Sequence, residues 1–443
     1  MINKHIRKPK LNKRNLAICM MLIFAVIITT YTLNRTYSSK RTNNSAKLSN
    51  TDNLIQSSQQ LLSEDPNNAN LYTNLCQNYL QKIRENADTT YYAECTKLLD
   101  KAVVIDPGNA EVYATQAAVA YGKHSFSEGL SLAQKALELN PDKVYYYGLL
   151  ADGQIELGDY ESATKSVQTM VDKKPELSSY NRVAYIRELY GDIEGAKAAL
   201  VTAISSGSSF LENVAFSQVE LGKLHLRDDL AKATDSFSEA LRTYNDYPPA
   251  LEGLGKVAFA NGDNEKAIEY YQKAFNVLPL AQYATGLGDI YITKGDSIKA
   301  DQYYYLSQLA FDKSTSGGVN NDFEFAIFLA QRNKDISKSV ELANKSVIVR
   351  PNIFTYDALA WAQYQSANYS EAQLSINKAL GLGEHQPVIL YHASLIAEKL
   401  GQIDIAKVYL EEAFSKDKYF LEQHFSLLDR IQAKEALERI NKL

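Results

Sequence analysis

The chain has 443 residues with 45% hydrophobic and 22% charged side chains, a composition that excludes long disordered tracts and calls for a packed fold. Net charge is only -5, and Lys and Arg cluster nowhere except at the extreme N-terminus, so the electrostatic footprint of a nucleic acid binder is absent. The length exceeds what one compact core needs, and Val, Ile and Thr do not alternate over any long stretch. Several helical domains or one elongated helical array are therefore expected.

The first element is an N-terminal apolar run. Residues 1–15 are basic, with Lys4, Arg7, Lys8, Lys10, Lys13 and Arg14, and residues 16–33 contain no charge. As a helix that run would reach roughly 27 Å, close to the thickness of a bilayer core, so it is expected to be a transmembrane anchor. Cys19 within it reads as an apolar membrane residue, because most of the apolar stretch follows it and bulky Ile18 precedes it. A cleaved signal peptide is the rival reading, but no small-residue cleavage site follows Ile28. The positive-inside rule places residues 1–15 in the cytoplasm and the folded part outside it, periplasmic or extracellular, the alternative being a cytoplasmic array. Residues 34–51, rich in Ser, Asn, Thr and Lys, read as a flexible stalk.

Beyond the stalk the chain repeats. Pro107, Pro141 and Pro175 are spaced by 34 residues, each ending an apolar helical stretch. Ala163, Ala196, Ala267, Ala300, Ala372 and Ala406 hold equivalent places, and Ala151, Ala184, Gly255, Gly288, Ala360 and Ser394 lie twelve residues before them. Small residues at both places let the two helices of a hairpin approach closely. Gly158, Gly191, Gly262, Gly295 and Gly401 mark the turns. Units begin near residues 69, 110, 144, 177, 215, 248, 281, 320, 353 and 387, a period that signals stacked helix-turn-helix units.

This pattern resembles the tetratricopeptide repeat family, most clearly over Pro248 to Pro279, which carries Leu254, Gly255, Gly262, Ala267, Tyr271, Ala274 and Pro279 in register. The resemblance covers about residues 53 to 416 and implies an all-α, right-handed superhelical solenoid of about ten hairpins. It divides into an N-terminal array at 52–312, a flexible joint at 313–321 around Gly317 and Gly318, a C-terminal array at 322–416, and a capping helix at 417–443. Departures are a longer turn near Arg84 to Thr90 and a turn one residue short in the unit near Ala215.

The resemblance further implies that the first helices of the units line a concave groove for protein or peptide partners. Its places 2, 5, 9 and 12 hold Tyr121, Tyr145, Asp152, Tyr185, Phe259, Asp289, Phe328, Trp361 and Tyr364, an aromatic and somewhat acidic set. Aromatics bury large areas with few rotatable bonds and make good anchors, but with 30 tyrosines in the chain each of these residues serves equally well as interhelical packing. The lysine and asparagine clamp that some family members use on chaperone C-termini is not evident: places 5 and 9 read Thr73 with Gln77, Ala114 with Ala118, Gly148 with Asp152, and Glu252 with Lys256.

No cofactor or catalytic chemistry is expected. The six histidines are scattered, His385 and His392 being the nearest pair, and there is no phosphate-binding glycine loop or nucleophile elbow. Cys76 and Cys95 fall at places 8 and 20 of the first unit, where the two helices of a hairpin touch. They either form a disulfide, if the array lies outside the cytoplasm, or stand in for small buried residues. The expected role is a membrane-anchored, non-catalytic adaptor for assembly, secretion or quality control at a cell envelope. The alternatives are a fixed structural or regulatory subunit of a membrane enzyme complex and an envelope carbohydrate- or ligand-binding protein.

Overall fold

The computed structural model describes residues 50–382, 386–420 and 427–440. The apolar segment 16–33, Cys19, the basic segment before it and the stalk up to residue 49 lie outside the described residues, as do His385 and His424. Among the described residues no helix is long and apolar enough to cross a membrane. The chain divides into two compact units, residues 1–56 and 57–443. Of the first, residues 50–56 are described and are helical, the start of α1 (Asn50–Glu64).

The second unit is an all-helical solenoid. Ten helix hairpins run from α2 (Ala69–Asn86) and α3 (Tyr91–Ile105) to α20 (Pro387–Lys399) and α21 (Ile403–Lys416), and α22 (Leu427–Ile440) follows them. No strand occurs among the described residues. Local chemistry sets the boundaries. Asn68, Asn109, Asp159, Asp192, Asp229, Asp263, Asp296, Asp335 and Asn352 each cap a helix N-terminus through the side chain, satisfying amides that the first turn leaves unpaired.

Within the hairpins, rings fill slots that glycines leave. In units five to seven the first helices are α10 (Leu211–Leu226), α12 (Pro248–Ala260) and α14 (Ala281–Thr293), followed by α11 (Leu230–Thr243), α13 (Asn264–Val277) and α15 (Ser297–Ser316). Phe237 of α11 sits where a Cβ on Gly222 or Gly253 would be, Tyr271 of α13 where one on Gly255 or Gly286 would be, and Tyr304 of α15 against Gly288. Each ring thus wedges into its own hairpin, and the first two also wedge into the next, so the 34-residue period of small residues is a packing period.

The array winds back on itself. The hairpin turns of units two to five meet the loops that precede units eight, nine and ten and follow unit ten. Asn320 N–H donates to Lys123 O at 3.1 Å, and His124 Nδ1 lies 2.7 Å from Asn320 O. Asn352 Nδ2 donates to Glu156 O at 3.2 Å, and Ile353 N–H donates to the Tyr160 hydroxyl at 3.1 Å. Gln386 Nε2 donates to Glu188 O at 3.2 Å, and Lys418 N–H donates to Arg227 O at 2.8 Å. Sequence separations of 193, 196 and 198 make one superhelical turn just under six units. Arg350 pairs with Glu156 and Glu324 and lies over the rings of Phe126 and Phe323, 4.9 Å from each centroid. A single hydrophobic cluster joins Ala151, Ile155, Tyr160, Ile186 and Leu189 of units three and four to the core of units seven to ten.

Segment 313–321 belongs to this seam. Where the sequence reads as a flexible joint, α15 continues to Ser316, Val319 is buried with Tyr92 and Val119, and Gly317 lies so close to Thr89 that a Cβ would collide with it. Gly317 serves close approach between superhelical turns, while Gly318 takes a positive φ of +88°.

Candidate functional site

One superhelical turn encloses a cavity of about 1570 Å³. Its wall is built from the first helices α10, α12, α14 and α16 (Asp322–Gln331), from the later part of α15, and from loops of the first and last units. Four large apolar side chains on it are solvent-exposed: Tyr244, Val277, Leu306 and Leu309. Charged groups along the wall are largely paired with one another, Arg84 with Glu212, Arg227 with Glu188, Lys256 with Glu252 and Arg332 with Asp289. The surface presented is apolar with compensated charge.

The residues picked out in the sequence separate into two groups. Tyr145 on α6 (Val144–Glu156) and Tyr185 on α8 (Leu177–Leu189) are 44% and 37% exposed. Crowding by the surrounding helices nevertheless raises both phenol pKa values, with Glu156 and Glu188 adding to the rise at Tyr185. Tyr121 donates to Leu149 O at 2.8 Å, and Asp152 takes a two-pronged contact from Arg182, at 2.9 and 2.6 Å. Tyr121, Tyr145 and Asp152 gather around Arg182, Tyr185 lies nearer Glu156 and Glu188, and none of the four is on the cavity wall.

Phe259, Asp289, Phe328, Trp361 and Tyr364 are buried in the wall rather than presented on it. Asp289 and Phe328 border the cavity from beneath its surface. Trp361 is 1% exposed and stacks on His392 and Tyr364 with centroids 4.2 and 5.0 Å away. Its ring neighbours Tyr364, Tyr391 and His392 all belong to units nine and ten. His392, one of the scattered histidines, is buried and its Nδ1 lies 2.8 Å from Asp357 Oδ1.

Sequence reasoning missed Arg332, whose guanidinium meets the buried Asp289 carboxylate while stacking over Tyr304 and Phe328. Burial raises the Asp289 pKa despite the opposing pull of Arg332 and the 2.7 Å hydrogen bond from the Tyr304 hydroxyl. It also missed the exposed apolar residues of α15, which no groove place would nominate.

Cys76 and Cys95 are both fully buried and joined as a disulfide across the first hairpin, with Cα atoms 4.9 Å apart. Among the described residues no group of three or more His, Cys, Asp or Glu side chains is placed to hold a metal ion.

An all-helical repeat solenoid with an inner cavity is the class that these observations define. A tetratricopeptide repeat family model matches residues 220–277, which span units five and six. The Arabidopsis thaliana protein CTR9 homolog is 26% identical over 188 residues, 41% of this chain but only 17% of the length of that relative. Among solved structures, yeast Tom70 aligns over 94% of this chain and 96% of its own at 14% identity and a TM-score of 0.37. Human IFIT1, solved as a dimer with PPP-AAAA, aligns over 71% and 73% at 17% identity and a TM-score of 0.46. A tetratricopeptide repeat protein from Parabacteroides merdae aligns over 60% and 98% at 18% identity and a TM-score of 0.35. The repeat architecture is that of a protein-interaction scaffold.

Proposed function

We propose that the protein is a non-catalytic, membrane-anchored adaptor that holds a segment of another polypeptide against the inner face of its superhelix. The observation that carries the reading is the cavity of about 1570 Å³ with exposed Tyr244, Val277, Leu306 and Leu309 on its wall. Small-molecule pockets are usually about 300–1,000 Å³ and enclose their ligand, so this larger, open space favours a peptide over a metabolite or sugar. With its charges compensated, the wall offers little to nucleic acid.

In this reading residues 16–33 anchor the chain, residues 1–15 stay in the cytoplasm, and the array works outside it in assembly, secretion or quality control at a cell envelope. The Cys76–Cys95 disulfide favours that placement, because such bonds persist in oxidising compartments. The competing role, a fixed subunit of a membrane enzyme complex, would use the outer helices, where Val104 and Ile348 are 84% and 78% exposed.

The test is stringent purification of the full chain from gently solubilised membranes after crosslinking. In the inner-face variant Tyr244→Ala/Leu309→Ala, partner recovery should fall about tenfold or more, as loss of two exposed anchors on the cavity wall implies. In the outer variant Val104→Ser/Ile348→Ser it should hold. The reverse pattern would establish the fixed-subunit role.

A further inference from the structure

The last helix does not merely end the solenoid. A terminal helix with a polar outer face is expected to stack on the last unit, where the next first helix would lie. Helix α22 does pack on α21, but it also packs on α14, the first helix of unit seven. Its Arg439 forks onto Glu398 of α20, the first helix of unit ten, at 2.6 and 2.8 Å, and its positive charge also acts on Tyr364 of α18 (Ile353–Gln365), the first helix of unit nine. All three are first helices, the kind that lines the cavity. Helix α22 therefore lies across the concave side of units seven to ten, over one of the groove places that the sequence nominates.

The way α22 is held differs from the way the hairpins are held. Ala433 and Ala436 are fully buried, and Leu437 packs half-buried against the core of these units. No Phe or Tyr anchor of the kind that locks the hairpins contributes to this stripe. On the other side Lys434, Glu435 and Glu438 are exposed, and Ile431 is 44% exposed. Alanines allow close approach while burying little apolar area, so among the described side chains the contact is shape-matched and thin. Its specificity rests on one charged fork, with Arg439 45% and Glu398 14% exposed.

We propose that α22 is a built-in occupant of this concave face, and that a partner protein binds there by supplying an amphipathic helix of the same chemistry. That helix has a small-residue stripe, one aliphatic side chain and a guanidinium for Glu398. The inference rests on the reading of the concave side as a protein-binding surface. It adds the partner's chemistry and an internal competitor, whose occupancy lowers the apparent affinity of any partner by the fraction of time the face is free.

The test uses the full chain and a fluorescent peptide spanning residues 427–440. Ala436→Glu puts a charge into the buried stripe and should release α22. The peptide should then bind at least about tenfold more tightly than to the wild type. Glu398→Lys added to Ala436→Glu should abolish the gain, and a peptide carrying Arg439→Glu should restore it. In the wild type, amide hydrogen exchange in α22 should be faster than in α20 and α21. Equal peptide binding with and without Ala436→Glu, insensitivity to Glu398→Lys, or protection of α22 equal to that of α21 would each overturn the proposal. Loss of helicity throughout the array in Ala436→Glu would do the same, making α22 a structural cap. The outcome is separable from partner capture through Tyr244 and Leu309, which is read on the cavity wall by a different measurement.

Discussion

Asp289 and Arg332 are each about 5% exposed, 43 residues apart in sequence, and face one another beside the cavity. Removing one partner leaves the other as an uncompensated buried charge, so Arg332→Leu should cost about 3–5 kcal/mol at neutral pH in urea unfolding. The pH dependence has a definite sign. Burial already holds the folded pKa of Asp289 above its ordinary 3.8, and loss of Arg332 raises it further. The penalty is full above the folded pKa and fades as pH falls through it, vanishing only below 3.8, where the carboxyl is neutral in both states. The stability deficit of Arg332→Leu against wild type should therefore shrink on acidification; a deficit that grows would contradict the buried pair. Asp289 stands out in the sequence as an acidic residue at a groove place, but its partner does not. Their meeting depends on how the first helices of units seven and eight are set against each other, which spacing alone leaves open. Trp361 illustrates the same gap, since its place on the helix is legible while its burial depends on how the first helices of units nine and ten bring Tyr364, Tyr391 and His392 around it.

At the scale of elements, two turn glycines with nearly the same backbone separate local from long-range demands. Gly158 and Gly262 have φ of +77° and +79°, where a side chain costs about 1–2 kcal/mol. A Cβ on Gly262 would meet open space, whereas one on Gly158 would lie 2.4 Å from Pro351 O. Gly158→Ala should therefore lower the unfolding midpoint clearly more than Gly262→Ala, the difference reporting the seam. Equal effects would mean that the turn of unit three and the loop that precedes unit nine do not meet. The first hairpin offers a second prediction. The Cys76–Cys95 disulfide closes a loop with a separation of 19 residues, and breaking a crosslink of that size removes about 3 kcal/mol of stabilisation in the chain-entropy model. Of the three cysteines, only Cys19 should react with a thiol reagent in the denatured, unreduced chain, and all three after reduction. Three reactive thiols before reduction would show the pair to be small buried residues instead. The hairpins themselves are legible, because period, capping and turn residues are local properties. The slots that receive Phe237, Tyr271 and Tyr304 are legible only in part, as glycines repeating at 33 residues between Gly222 and Gly255 and between Gly253 and Gly286.

For the whole second unit, the proposed binding face depends on the array closing upon itself. The contacts that do this join residues nearly 200 apart, through the backbone of Asn320 and ordinary polar side chains such as Asn352 and Gln386, which carry no sequence signal of their own. A run containing Gly317 and Gly318 reads as a hinge when only its neighbours in sequence are considered. Placed against Thr89, it is a site of close approach. Weakening the seam at several points, with Glu156→Ala, Asn352→Ala and Gln386→Ala together, should leave helicity intact and widen the superhelix in solution scattering. An unchanged scattering profile would show that the hydrophobic cluster alone holds the turns together.

Site-specific photocrosslinking in cells tests most directly whether the enclosed face is where another polypeptide is held. A photoreactive residue is placed at Leu309 on the cavity wall or at Ile348, exposed away from it. We expect a discrete crosslinked polypeptide from position 309 and none from position 348. Crosslinks from position 348 with none from position 309 would contradict it.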